Sequence, residues 1–245
     1  MTKPTKFTSE VSKPGLAVGL AIACGEIENA KHINKFGFSD SVGTTYQTIW
    51  EGENLYTYPS SADTVALTSD ESSDDNGGTV LVQGLDSNYD ETEETITIGA
   101  GAGSVEFIRV FRMILTSANT GSSNVGEITA TLGTGPGVVV GKIYADQGQS
   151  LMAQYTIPNG YKGYLTHIQA TVERKDKDAR MRLMAKPFGN GFNVKGQWSS
   201  NGNPIEYVYD VPLVFDAKTD IQMQIQASVD TAVSGIFNII LIDHT

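Results

Sequence analysis

Along most of this chain, short stretches of alternating apolar and polar side chains are separated by clusters of Gly, Asn, Asp, Ser and Pro. Residues 44–50 alternate in this way and predict a strand. Residues 78–84 and 91–98 predict a hairpin closed by the turn 85–90, and residues 99–104 a flexible glycine-rich turn. Residues 107–115 form a longer apolar run. A helix could carry it, but Val105, Ile108, Val110 and Ile114 are β-branched and favour a buried strand. Ile128–Leu132 and Val138–Ile143 complete the first half. The second half predicts strands at 151–157, 163–172, 180–186, 192–198, 205–211, 221–229 and 236–242. Asn159-Gly160, Asn190-Gly191 and Asn201-Gly202 mark turns that call for positive φ. Almost no window sustains helical spacing without a Gly or a β-branched run, so the fold class expected is all-β: an antiparallel β-sandwich of jelly-roll type. We expect an N-terminal arm over 1–30, an acidic β-domain over 31–147 and a second β-domain over 148–245. The same pattern also allows one continuous sandwich.

Composition supports a packed domain: 40% of the 245 residues are hydrophobic and Gly occurs 26 times, as many tight turns require. Charge sharpens the functional picture. The net charge is −11, and residues 36–108 hold fourteen Asp and Glu with no Lys or Arg. Such a surface repels nucleic acid and anionic membranes, so neither is an expected partner. One cysteine, Cys24, cannot form an intrachain disulfide. No apolar run approaches the roughly 20 residues of a membrane-spanning helix.

Lys3, Lys6 and Lys13 precede the apolar run 16–24, an order resembling a secretory or lipoprotein signal. Glu10 within the basic part, Pro14-Gly15 at the start of the run and Gly19 inside it argue against that reading. The expectation is an extended arm in which Leu16, Val18, Leu20 and Ile22 pack on the chain's own core or on a neighbouring subunit.

Candidate chemistry is sparse. His32, His167 and His244 are scattered without metal-ligand spacing, and no Gly-x-Ser-x-Gly nucleophile elbow occurs. The glycine runs at 99–103 and 133–137 lead into strand-like segments, whereas phosphate loops lead into helices. Acidic turns offer hard oxygen ligands at 69–77 and at Asp86, Asn88 and Asp90. The second begins like a calcium loop, but Glu91 stands where such a loop needs Gly. Their alternative role is backbone capping of surface turns. No catalytic residue, cofactor or other metal ligand is expected. Trp50, Tyr56, Tyr58 and Trp198 could stack on sugars if exposed together, although aromatics in β-proteins usually serve the core. The basic segment 174–182 offers Arg174, Lys175, Lys177, Arg180 and Arg182 as a surface complementary to the acidic half of another subunit.

Several segments carry a family likeness: Lys35-Phe36-Gly37-Phe38, Tyr46 to Gly52, Val82 to Tyr89, Tyr155-Thr156-Ile157-Pro158, Gly160 to Tyr164, and Ala185-Lys186-Pro187-Phe188-Gly189. In these the chain resembles a family of virion structural proteins of tailed, often marine, bacteriophages. The resemblance spans most of the chain after residue 30 and brings no catalytic residues. It implies a non-enzymatic virion component made in the host cytoplasm. The role expected first is a capsid decoration (cement) protein bridging head subunits. The alternative is a neck, tail or fibre component, with or without a carbohydrate- or host-surface-binding module. Expected partners are the major capsid protein or other virion proteins, and further copies of the chain, with a trimer favoured.

Overall fold

The computed structural model describes residues 18–133, 137–173 and 178–244. The chain opens with a short helix, α1 (Val18–Ala23), then β1 (Ala30–Val42) and the two-residue β2 (Gln47–Thr48). An excursion follows through β3 (Asp63–Ser69), β4 (Thr79–Leu85), β5 (Glu91–Thr97), β6 (Ala102–Phe107), β7 (Arg109–Ser117), β8 (Ile128–Leu132) and β9 (Val138–Ile143). The remainder is β10 (Gln154–Thr156), β11 (Tyr161–Val172), β12 (Asp178–Lys186), β13 (Asn193–Asn201), β14 (Ile205–Phe215), β15 (Asp220–Ala227) and β16 (Thr231–Asp243). The protein is all-β and antiparallel, as the alternation requires.

Two sandwiches share the chain. In the first, one sheet has the order β1-β16-β11-β14 and the facing sheet β10-β15-β12-β13, with β2 also on β15. Counting its eight main strands in chain order gives 1-8-3-6 against 2-7-4-5, the strand order of a jelly roll. Its core is the inward face of both sheets, including Leu165, Ile168, Met181, Leu183, Met223, Ile225, Phe237 and Ile239. The second sandwich packs β6-β3-β8-β9 against β5-β4-β7. Its separate core includes Leu67, Val80, Val82, Phe107, Met113, Ile128 and Ile143.

The second sandwich is an insertion into one strand position of the first. Gln47 and Thr48 pair with Ile225 and Gln224, and Gln154–Thr156 continue along the same edge opposite Gln222, Ile221 and Asp220. Between them, the Ile49 N–H donates to Met223 O (3.0 Å) and the Met223 N–H to Ala153 O (3.0 Å). The Ala153 N–H closes the neck on Ile49 O (2.9 Å). Residues 50–152 therefore leave and re-enter at a single point, which lets a whole lobe be added without breaking the host sheet. β1 crosses directly over this neck. A Cβ at Gly37 would lie 2.2 Å from Ile49 O and 2.4 Å from Ala153 N, so only glycine lets the strand come this close.

The insertion runs from residue 50 to 152, so the boundary expected at 147 falls inside it and the start expected at 31 precedes it. Residues 30–49 belong to the jelly roll, because β1 pairs with β16 from Ala30↔Ile242 to Val42↔Thr231. The arm also differs from expectation. From residue 18 it is helical, and it ends where the Cys24 and Glu26 N–H groups bond Leu20 O and Ala21 O beside Gly25 at φ 71°. Among the expected turns, Gly160 (φ 78°) and Gly202 (φ 77°) are left-handed, while in the third Gly189 (φ 75°) takes that role.

Candidate functional site

Two features stand out: the joint between the lobes, where charge is buried, and the last strand of one jelly-roll sheet, where apolar surface is exposed. The joint is built on Arg109, the first residue of β7. Its Nε and Nη2 donate to Oδ1 (2.8 Å) and Oδ2 (2.9 Å) of Asp220 at the start of β15, a two-point pairing of planar groups. Nη1 donates to the carbonyls of Pro59 and Ile108, both at 2.7 Å. The rings of Tyr58 and Tyr89 flank the guanidinium, with centroids 5.2 and 5.4 Å from its carbon. Asp220 also accepts from the Thr156 hydroxyl (2.7 Å). Both charged residues are almost wholly buried. Burial alone would disfavour the cation, but the bond to Asp220 and its charge raise the Arg109 pKa further.

Two more charges sit at this joint. Glu51, fully buried just beyond β2, accepts from the N–H groups of Tyr144 (3.2 Å) and Leu151 (2.8 Å), fastening the outgoing and returning chains together. Desolvation pushes its pKa up to about 7, against the opposing pull of those two N–H bonds. Lys35 lies on the inward face of β1 and donates to Phe111 O in β7. Desolvation, with the nearby Arg112 charge, lowers its pKa to about 7. Trp50, Tyr56 and Met152 form a small apolar cluster at the neck, with Tyr58 packed on it.

The exposed feature is β14, the outer strand of the sheet β1-β16-β11-β14. Val211 is 81% and Val208 62% exposed, and Tyr207 and Val214 are also open to solvent. The ladder with β11 jumps from His167↔Val208 to Leu165↔Leu213, so residues 209–212 bulge out and include Pro212. A bulge and a proline obstruct continuous strand addition, so this surface offers side chains more readily than backbone hydrogen bonds.

The expected interface residues fare unequally. Leu16, Arg174, Lys175 and Lys177 lie outside the described residues. Val18 (58%) and Leu20 (52%) are exposed on α1, whereas Ile22 is buried and unavailable to a partner. Arg180 is exposed. Arg182 is engaged internally: its Nε donates to Gln224 (2.7 Å) and its guanidinium lies 3.9 Å from the Tyr46 ring centroid. In the suggested calcium loop, Asp86 Oδ1 accepts the N–H groups of Asn88 (2.8 Å) and Asp90 (3.0 Å), a capped turn. Among the described residues, no group of three or more His, Cys, Asp or Glu converges as a metal site. The sugar-stacking idea fails for Trp50 and Tyr56, which are buried at the neck. His167 sits in its sheet between Glu206 and Asn238. Among the described residues, no helix is long and apolar enough to cross a membrane.

The residues missed from the sequence are Arg109, Glu51, Lys35 and the β14 valines. Arg109 did leave a signal, a charge inside the apolar run 107–115.

No family model matches the chain, and no curated protein matches it. Among solved structures it is similar to that of infectious bursal disease virus Gx strain, at TM-score 0.23 and 10% identity, covering 89% of this chain and 72% of that one. The Gt strain structure gives TM-score 0.23 and 11% identity over 89% and 73%. The VP2 subviral particle of the same virus gives 0.22 and 9% over 89% and 73%. Superposition this loose carries no argument about function.

Proposed function

We propose that this chain is a non-enzymatic structural protein of a tailed-phage virion, acting first as a capsid decoration protein that stabilises the head by bridging its subunits. The observation that carries the proposal is the run of four exposed apolar side chains along one strand, Tyr207, Val208, Val211 and Val214 of β14. Exposed apolar patches of this kind mark protein–protein contacts. The jelly roll is also an architecture used by viral capsid domains, and the segment resemblance after residue 30 points the same way. The partners are the major capsid protein or other virion proteins, together with further copies of the chain. Binding only the folded, assembled state shifts the shell's equilibrium towards the intact particle.

Surface substitution tests this directly. Val208→Asp with Val211→Asp is expected to change the chain's own stability by no more than about 0.5 kcal/mol, because neither side chain is buried. Incorporation into particles, measured by complementation and mass spectrometry, should fall at least tenfold. Normal incorporation of the double variant would refute β14 as the assembly surface.

A further inference from the structure

A cleft of about 670 Å³ lies between the lobes, lined by β1 and Tyr155 from the jelly roll and by β4, β5, β7 and Gln149 to Leu151 from the insertion. That is ample for a small-molecule site, typically 300–1,000 Å³. Lys35 and Arg112 both line it. They face each other electrostatically as like charges. The Lys35 ammonium has three protons, and Phe111 O takes one. Arg112 presents a five-proton fork, from which Nη2 donates to Gln149 Oε1 (3.2 Å). The other titratable groups along the lining are His32, Glu91 and Glu93. Glu91 is paired with Lys31 (2.6 Å) and Glu93 accepts from Gln83 (2.9 Å). Tyr155 forms part of the wall, and its hydroxyl is buried without a hydrogen-bond partner. Two like charges with spare donors, one of them buried, are stabilised by an anion between them and destabilised without one.

We infer that this cleft binds a small oxyanion, a carboxylate or phosphate group, held between the Lys35 ammonium and the Arg112 guanidinium. The guanidinium offers the two-point geometry that both groups accept, and the ammonium supplies the point charge. The ligand enters from the open side, where Arg112 is exposed. This site is separate from the β14 surface, so it stands or falls independently of the assembly role.

The test is calorimetric titration of the full chain with sodium phosphate and, separately, sodium acetate at constant ionic strength set by chloride. Saturable one-to-one binding is expected for at least one of them. Tighter phosphate binding assigns a phosphate ligand, and tighter acetate binding a carboxylate. Arg112→Gln, at an exposed position that leaves folding intact, should weaken binding at least tenfold, and Lys35→Met likewise. Absence of saturable binding to both salts would overturn the inference, as would undiminished affinity in Arg112→Gln.

Discussion

Asp220→Ala is expected to lower the free energy of unfolding by about 3–5 kcal/mol, the usual cost of stranding one partner of a buried ion pair. The Arg109 guanidinium would keep its bonds to Pro59 O and Ile108 O but lose both bonds to a carboxylate, in a place water hardly reaches. Thr156 would lose its acceptor as well. For a chain of this size the melting temperature should drop by roughly 10 °C. Urea or thermal unfolding measures the loss. The double replacement Arg109→Met with Asp220→Leu should recover much of it, because an apolar pair carries no uncompensated charge. A loss below about 1 kcal/mol for Asp220→Ala would mean that the pair does not hold the lobes together.

The second large effect is in pH. Glu51 has a folded pKa raised from 4.5 to about 7, so the folded state binds more protons than the unfolded state across that interval. Its contribution is fully present below pH 4.5 and is lost as pH rises to 7. Lys35 has a folded pKa lowered from 10.5 to about 7, so here the unfolded state binds more protons and stability rises between pH 7 and 10.5. Together the two groups place a stability minimum near neutrality, with limbs on the order of 3 kcal/mol on the acidic side and 5 kcal/mol on the alkaline side. Denaturant melts across the pH range, in buffers free of phosphate and carboxylates, should show it. Glu51→Gln should flatten the acidic limb and Lys35→Met the alkaline one. Profiles left unchanged by both substitutions would contradict the burial of these charges.

Much of the strand pattern was legible because many strands bury one face only. Ile128–Leu132 and Val138–Ile143 were placed to the residue, and Arg180 to Leu183 alternates charged and buried positions before Met184 and Ala185 are both buried. β1 was missed because polar Lys31, His32 and Lys35 interrupt its apolar alternation, although Lys35 and Gly37 are inward-facing. β3 was missed because Asp63, Thr64, Thr68 and Ser69 flank only a short apolar centre. Residues 44–50 read as a full strand yet hold only two strand residues, since the chain turns away into the insertion at Trp50.

Topology was harder to read for a different reason. The pairing of β1 with β16 joins positions about 200 residues apart, and periodicity along the chain carries no information about such partners. The site follows the same logic. A buried Lys35 or Glu51 resembles any other charged residue until an inserted lobe covers it. The sequence places a strand at 205–211 without saying which side chains it buries, and the exposure of the β14 valines follows from the strand's edge position and its bulge at 209–212.

The most direct test of the proposed virion role is the copy number of this chain relative to the major capsid protein in purified particles, by quantitative mass spectrometry. A decoration protein should be present in hundreds of copies per particle, and about a dozen would move it to the neck, tail or fibres. Absence from the particle would contradict the structural role altogether.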